Sequence, residues 1–278
     1  MLAVAGTAGF PLPMAVAPMA PPVPSPGPEG TPMSTLDPGQ IDLFKRQGFL
    51  VLKGLVDPET LSAWRDQFWS HVGADRGDPG TWPEDYVIEG FSVDPPLGQL
   101  PPMQTIIEQL GGGMFGGGGG SMLVKWPGPD DAAWQMPASG HIDGYGPGGW
   151  SGGFMLGATT YMDDVEPGGG SFIYWPRSHG PVQAYFREHP EQIDGSFRDR
   201  DDWEERQWGL FSDESPDPPA EFTARAGDVI LWHCFLCHTG SANVSARPRL
   251  GVFARWHRTD REEMKYDVPE DLWKYWAV

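Results

Sequence analysis

The most informative part of the chain is the short segment Gly140-His141-Ile142-Asp143-Gly144-Tyr145. His141 and Asp143 are two residues apart, so on an extended strand both side chains leave the same face. An imidazole and a carboxylate side by side are two of the three groups of a facial metal site. Such triplets are also common among surface residues near turns, so the third group must be sought elsewhere in the chain.

The third group is predicted to be His238, which lies 97 residues after His141. Two histidines and one carboxylate on one face of an octahedron leave three positions open for substrates, which is the arrangement of non-haem Fe(II) oxygenases. Arg249 follows His238 by eleven residues. Its planar guanidinium can bind a carboxylate through two hydrogen bonds, as an oxo-acid that chelates the iron at its other end requires.

The composition favours an all-β protein and argues against two classes of partner, nucleic acid and membrane. Among 278 residues there are 38 glycines and 30 prolines, which indicate many turns between short strands. The formal net charge of −19 repels phosphate backbones, so nucleic acid is not expected as a partner. No apolar run reaches the roughly 18 residues of a membrane span, so no membrane partner is expected either. The sequence does not indicate an oligomeric state.

Two regions of different composition divide the chain. Residues 1–33 are predicted to be a disordered, proline-rich leader, and residues 34–278 a single jelly-roll domain. The first 32 residues contain nine prolines and one charged residue, Glu29. Prolines at that density prevent a regular hydrogen-bonded element.

Cys234 and Cys237 form a C-x-x-C pair. The spacing suits a redox pair or half of a zinc site. A zinc site needs a second pair of ligands, and a redox pair needs a helix N-terminus that lowers the thiol pKa. The sequence offers neither, so two reduced, partly buried thiols on a strand are favoured. Such thiols fit a cytoplasmic location.

Hydrophobic periodicity predicts a helical N-terminal layer followed by many short strands. Helices are expected near residues 40–48, 57–72, 103–110, 182–188 and 269–276. Strands are expected at residues 49–52, 121–126, 154–162, 171–175, 229–238 and 249–257. The glycine-rich residues 111–120 lack the lysine-serine ending of a phosphate loop and are expected to form a flexible loop. The pattern predicts a mainly β fold, a double-stranded β-helix (jelly roll) of the cupin type, with flanking N-terminal helices.

Several ordered groups of residues carry a resemblance to a known family. They are Gln47-Gly48-Phe49-Leu50-Val51-Leu52, then His141-Ile142-Asp143, then Tyr161 to Pro167 continuing to Pro176-Arg177-Ser178-His179, and finally Ala226-Gly227-Asp228 continuing through His238 to Arg249. With this order and spacing, the chain resembles the phytanoyl-CoA dioxygenase family of Fe(II)- and 2-oxoglutarate-dependent oxygenases. The resemblance covers most of residues 38–258.

The resemblance implies a set of cofactors and a reaction. His141, Asp143 and His238 would bind Fe(II), and Arg249 would bind the distal carboxylate of the cosubstrate 2-oxoglutarate. With O2, such an enzyme hydroxylates an aliphatic C–H bond of a small organic molecule and releases succinate and CO2. Some relatives are halogenases that have a small residue in place of the carboxylate ligand, so Asp143 implies hydroxylation.

Two further residues are candidates for the 2-oxoglutarate site. Members of the family often have a serine two positions after the distal histidine, where it contacts the same carboxylate. This chain has Gly240 at that position, with Thr239 and Ser241 on either side, so Ser241 is a candidate contact. Lys125 is the other candidate, because it resembles a polar residue that some members place on the strand before the H-x-D triplet.

Other polar residues near these motifs have structural or substrate-binding interpretations. His179 is expected to fix a loop through a hydrogen bond. His233 is expected to be structural, on the face opposite the metal ligands. Arg255 and His257 share strand parity with Arg249, so either is a candidate to meet an acidic group of the substrate.

Tyr145 and Trp150 follow the H-x-D triplet and are candidates for walls of a substrate pocket; otherwise they pack the loop. The alternative to an enzyme is a non-catalytic, cupin-like module that binds a metal or a small molecule. Iron-dependent release of succinate in air separates the two interpretations.

Overall fold

The computed structural model describes residues 35–83, 91–129, 133–143, 150–193 and 212–278. All of them belong to one unit, Pro32–Val278. The predicted leader and Tyr145 lie outside the described residues, so their proposed roles stay predictions. Of the described helices, none has the length and apolar character needed to cross a membrane.

The described residues include four α-helices, and two of them have side-chain caps at their N-termini. The four helices are α1 (Pro38–Gln47), α2 (Pro58–Val72), α3 (Pro101–Gly111) and α4 (His179–Glu188). The carboxylates of Asp37 and Asp57 each accept a hydrogen bond from the backbone N–H three residues later. Gly48 and Gly73 end the same two helices in the left-handed conformation. The first four predicted helices are therefore confirmed, to within a few residues at each end.

In the described part of the chain, nine strands form two antiparallel sheets. The strands are β1 (Phe49–Leu52), β2 (Phe115–Gly117), β3 (Ser121–Lys125), β4 (Phe154–Tyr161), β5 (Phe172–Tyr174), β6 (Ala220–Phe222), β7 (Val229–His233), β8 (His238–Gly240) and β9 (Arg249–Arg258). The larger sheet has the order β1-β7-β4-β9-β2, with β3 also paired with β9. The smaller sheet has the order β6-β5-β8. Each predicted strand is present, and the predicted strand at 229–238 is divided into β7 and β8.

The two sheets pack face to face and enclose the interior of a jelly roll. The indole of Trp232 on β7 lies 5.9 Å from the ring of Phe172 on β5 and 4.5 Å from the ring of His238 on β8, between centroids. Alternation along β9 directs Arg249 and Arg255 to this interior face, while Leu250, Val252 and Ala254 between them are buried on the other face. The predicted mainly β, cupin-like fold is confirmed.

The glycine-rich residues 111–120 are not the flexible loop that the sequence predicts. Part of this segment forms β2, and the next residue, Gly118, donates a backbone hydrogen bond to the Arg255 carbonyl at 2.9 Å. Gly118 has a φ of 84°, and a Cβ there would lie only 2.8 Å from Nε1 of Trp256. The glycines therefore allow the chain to run close against β9. A count of glycines does not distinguish this close approach from flexibility.

The predicted helix at residues 269–276 is wrong, because residues 272–275 form turns. The backbone N–H of Trp276 bonds to the carbonyl of Trp273, three residues earlier, at 2.9 Å. Both indoles pack on the ring of Phe44 in α1, with centroids 5.4 and 5.6 Å away. This tertiary packing outweighs the helical preference of the segment.

Cys234 and Cys237 are free and buried, as predicted, but they lie in the turn between β7 and β8 and not on a strand. Burial raises the pKa of both thiols well above the usual range. The reactive thiolate form is therefore disfavoured at neutral pH, which supports a structural role for the pair.

Two buried histidines connect the sheet to the helical layer. Nδ1 of His233 accepts the backbone N–H of Phe235 at 3.0 Å. Nε2 of His179, at the start of α4, lies 3.0 Å from the Lys45 carbonyl oxygen at the end of α1. Burial lowers the pKa of His179, and it holds the pKa of His233 well below its ordinary value. Both residues thus have the structural positions that the sequence predicts.

These histidines predict how stability depends on pH. An unfolded histidine binds a proton below about pH 6.5, whereas burial keeps His233 neutral in the folded chain. The unfolded state then binds more protons, so the free energy of unfolding should fall as the pH decreases below about 6.5. His233→Asn keeps an acceptor for the Phe235 N–H but cannot titrate, so its slope should be shallower. Urea titrations at several pH values measure the slope. The exposed His71→Asn is the control, and equal slopes for His233→Asn and wild type would contradict the prediction.

Candidate metal centre

A pair of backbone hydrogen bonds brings two distant histidines together. His141 donates its N–H to the His238 carbonyl at 2.9 Å, and His238 donates its N–H to the His141 carbonyl at 2.8 Å. This isolated antiparallel bridge adds one residue pair to the edge of the smaller sheet, beside β8. His141 is therefore extended only locally, as a single bridge and not as part of a longer strand.

The side chains of His141, Asp143 and His238 converge on one point. Oδ1 of Asp143 lies 3.7 Å from Nε2 of His141 and 3.6 Å from Nε2 of His238. One donor atom from each residue lies within 4.8 Å of the others. Within the described ranges, no other group of three histidine, cysteine or acidic residues meets this distance criterion. Two imidazole nitrogens and one carboxylate oxygen are the donors that a non-haem Fe(II) site uses.

The ring of His238 is fixed by a hydrogen bond and by aromatic neighbours. Its Nδ1 lies 2.9 Å from the Leu236 carbonyl oxygen, so Nδ1 carries the proton and Nε2 presents its lone pair to the cluster. Phe172 stacks on the ring at 5.0 Å, and Trp232 packs against it at 4.5 Å. Such a ring needs little reorganisation to act as a metal ligand.

The charges in the cluster favour metal-binding protonation states. Burial alone would raise the pKa of Asp143, but the neighbouring imidazoles of His238 and His141 and the Arg255 guanidinium hold this pKa well below its ordinary value. Burial lowers the pKa of His141, against the opposing effect of Asp143. A carboxylate that is ionised and an imidazole that is neutral are the forms that bind metal.

Arg249 lies inside the jelly roll at the start of β9 and is 4% exposed. Its Nε donates to the Gly170 carbonyl at 2.7 Å and its Nη1 to the Leu123 carbonyl at 2.6 Å. The guanidinium carbon lies 5.7 Å from the ring centroid of Tyr161. Burial raises the pKa of Tyr161 to about 12, so the phenol stays neutral beside the cation. These contacts hold the guanidinium in one position.

Lys125 is paired with Arg249 across β3 and β9, so a second cation lies beside the first. Burial, and then the charge of Arg249, lowers the pKa of Lys125. A Cβ on Gly240 would lie 3.9 Å from Nζ of Lys125, so the lysine occupies the side of β8 that residue 240 faces. Lys125 forms no ion pair with another described residue. Arg249 is buried and Lys125 is half-buried, and two such adjacent cations can bind an anion such as a carboxylate.

Ser241 stays a predicted contact of the cosubstrate, because no described hydrogen bond joins it to Lys125 or Arg249. Its side chain follows Gly240 directly, so strand alternation turns it away from Lys125. Its backbone N–H donates to the Ser171 carbonyl at 3.0 Å. The buried hydroxyl has no hydrogen-bond partner among the residues that the structure describes. The geometry favours Lys125 over Ser241 as the group that accompanies Arg249.

The remaining candidates have other contacts. Arg255 reaches the site but forms an ion pair with Asp143, with Nη2 at 2.6 Å from Oδ2. His257 packs near the Phe154 ring, with centroids 5.5 Å apart. Trp150 is buried, stacks on Phe235 at 5.0 Å and donates its indole N–H to a backbone carbonyl, so it packs the loop.

Sequence reasoning missed the aromatic residues around the metal ligands. Trp232 covers Gly157 of β4 so closely that a Cβ at that position would collide with the indole. Phe172 completes the wall on the other sheet. β7 is apolar from Val229 to Trp232 and all five of its residues are buried, so this continuous apolar run is the signal that could have marked Trp232 as buried.

A separate cavity of about 420 Å³ lies beside α2. It is lined by Trp69, Arg76, Gly77, Pro79, Trp82, Asp163, Ala246, Arg247 and Pro248. None of these residues is a candidate ligand for a metal or a cosubstrate. We therefore place the functional site at the His–Asp–His cluster, where the donor atoms converge.

Comparisons with known proteins agree with this placement. The model of the phytanoyl-CoA dioxygenase family matches residues 124–251, a segment that runs from β3 into β9 and contains the cluster and Arg249. No curated protein sequence matches the chain.

Solved structures resemble the fold. The non-haem α-ketoglutarate-dependent carbocyclase SnoK from nogalamycin biosynthesis is 18% identical, with a TM-score of 0.53 over 84% of this chain and 88% of that chain. HygX from Streptomyces hygroscopicus, with nickel and 2-oxoglutarate bound, is 16% identical, with a TM-score of 0.51 over 81% of this chain and 88% of that chain. The epimerase SnoN is 18% identical, with a TM-score of 0.51 over 79% and 81%. At these identities the likeness establishes the fold.

The position of Arg249 predicts its effect on binding of 2-oxoglutarate. A hydrogen bond to a charged group contributes about 1.5–3 kcal/mol, so Arg249→Ala should weaken 2-oxoglutarate binding roughly ten- to a hundredfold. Metal binding should change much less. Calorimetry with Mn(II) in place of Fe(II) measures both affinities. Arg247→Ala, at an exposed arginine two residues away, is the control. An unchanged affinity for 2-oxoglutarate in Arg249→Ala would place the carboxylate elsewhere, with Lys125 as the next residue to test.

Proposed function

We propose that this chain, in which residues 124–251 match the model of the phytanoyl-CoA dioxygenase family, is an Fe(II)- and 2-oxoglutarate-dependent dioxygenase. It hydroxylates an aliphatic C–H bond of a small organic molecule and releases succinate and CO2. The observation that carries the proposal is the convergence of one donor atom each from His141, Asp143 and His238 within 4.8 Å. These residues come from two segments that the fold joins by a single bridge.

The donor set fits Fe(II). It consists of two imidazoles and one ionised carboxylate, and three ligands on one face leave positions for a cosubstrate and O2. His141, Asp143 and His238 would hold the iron. When bound, Fe(II) together with 2-oxoglutarate supplies the oxidising chemistry, and the protein supplies binding, orientation and electrostatics.

Arg249 and Lys125 provide what a dianionic cosubstrate needs in an acidic protein. The chain has a formal net charge of −19, which disfavours a dianion on most of the surface. Inside the jelly roll, however, the two cations lie side by side across β3 and β9. We assign them to the distal carboxylate of 2-oxoglutarate, with Arg249 as the main contact because its fork matches a carboxylate.

The aromatic residues of the interior shield the centre from water. Trp232 and Phe172 pack on the His238 ring from the two opposing sheets. Exclusion of water strengthens electrostatic contacts inside the site and prevents side reactions of a strong oxidant. We also assign the enzyme to the cytoplasm, which the two free, buried cysteines support.

Succinate release tests the proposed activity before the substrate is known. With 2-oxoglutarate and air, the wild type should release succinate only when Fe(II) is added. His238→Ala removes one of three metal ligands and should reduce this release to the background rate. His189→Ala, at a histidine outside the cluster, should behave as the wild type. Iron-independent release, or equal release by His238→Ala, would favour the non-catalytic module instead.

A further inference from the structure

The two carboxylate oxygens of Asp143 have different partners. Oδ1 faces the imidazoles of His141 and His238 at 3.7 and 3.6 Å. Oδ2 accepts a hydrogen bond from Nε of Arg255 at 2.9 Å and lies 2.6 Å from Nη2 of the same guanidinium in an ion pair. The plane of the carboxylate is therefore set by groups on both of its sides.

We propose that Arg255 is a positioning residue that presents only Oδ1 of Asp143 to the metal. This inference rests on the proposed metal centre. A carboxylate can bind a cation through one oxygen or through both. Binding through both would occupy one of the three positions that a facial triad leaves open for the cosubstrate and O2. Arg255 prevents this because its Nε and Nη2 atoms both lie close to Oδ2.

The position of Arg255 is itself determined by the fold. Its guanidinium carbon lies 5.0 Å from the ring centroid of Phe253 and 6.0 Å from that of Phe154, so aromatic faces support the cation. Arg255 lies directly opposite Gly157 in the pairing of β4 with β9. The Arg255 side chain is 42% exposed, whereas that of Asp143 is 16% exposed. The Arg255 side chain therefore covers the side of the Asp143 carboxylate that faces solvent.

The pairing with Asp143 also distinguishes Arg255 from Arg249. Both residues lie on the interior-facing side of β9, six positions apart, but Arg249 donates to two backbone carbonyls. The charge of Arg255 is neutralised by the carboxylate that it holds. Contact with an acidic group of the substrate would require this ion pair to break, so the role that the sequence suggests for Arg255 is replaced by one directed at the metal ligand.

Binding of Co(II) to the metal-free protein tests this role without turnover, because the visible spectrum of Co(II) reports the number and geometry of its ligands. Arg255→Met should change the spectrum and weaken Co(II) binding about ten- to a hundredfold, the usual effect of losing a group that orients a metal ligand. Arg255→Lys keeps the charge but lacks the fork, so it should also change the spectrum. Arg261→Met, at an exposed arginine of the same region, is the control and should match the wild type.

The outcomes separate the role of Arg255 from the metal centre. A wild-type spectrum in Arg255→Met, whatever its affinity, overturns the proposed role while the metal centre stands. If Arg255→Met does not fold, as its melting curve would show, the spectrum of Arg255→Lys decides in the same way. If the wild type itself binds no Co(II), the metal centre is overturned, and the role of Arg255 with it.

Discussion

The candidate site depends on one antiparallel bridge, the pair of backbone hydrogen bonds between His141 and His238. His141 and His238 are 97 residues apart in the sequence, and this bridge brings their imidazoles together in space. The bridge is short, but its surroundings support it. His238 belongs to β8, which pairs with β5, and its ring is enclosed by aromatic residues from both sheets. The position of His141 follows from that of His238, and Asp143 then reaches the cluster from two residues further along.

β9 organises the other end of the site. It pairs with β2, β3 and β4, so its interior face is fixed from several directions. Arg249 begins this strand beside Lys125, and Arg255 lies further along the same face. One strand therefore carries both arginines, Arg249, which we propose to bind the cosubstrate, and Arg255, which pairs with the carboxylate of Asp143. The chain has a net charge of −19, but these positive charges inside the jelly roll attract a dianion.

Much of this arrangement could be predicted from the sequence. The spacing of two within His141–Asp143, the distal His238 and the following Arg249 indicated the ligand types, and the family resemblance supplied their order. Helix ends at Asp57 and Gly48 followed from local capping chemistry, which needs no tertiary information.

Other features depend on contacts that no local pattern encodes. The pairing of Arg255 with Asp143 requires the register of β4 against β9 and the path of the chain after the bridge. The glycines of β2 are needed because Trp256 and the β9 backbone lie close by, which periodicity cannot reveal. The turns near the C-terminus form because two tryptophans pack on α1, an example of tertiary contacts that outweigh propensity.

One metal ion and one 2-oxoglutarate are proposed to bind together at this site. A crystal structure of the protein with Mn(II) and 2-oxoglutarate, with anomalous diffraction at the manganese edge, tests this proposal most directly. We predict an anomalous peak within bonding distance of Nε2 of His141, Oδ1 of Asp143 and Nε2 of His238, with the distal carboxylate of 2-oxoglutarate at Arg249. An anomalous peak elsewhere would show that these three residues are not the metal ligands, and 2-oxoglutarate bound away from Arg249 would show that this arginine does not hold it.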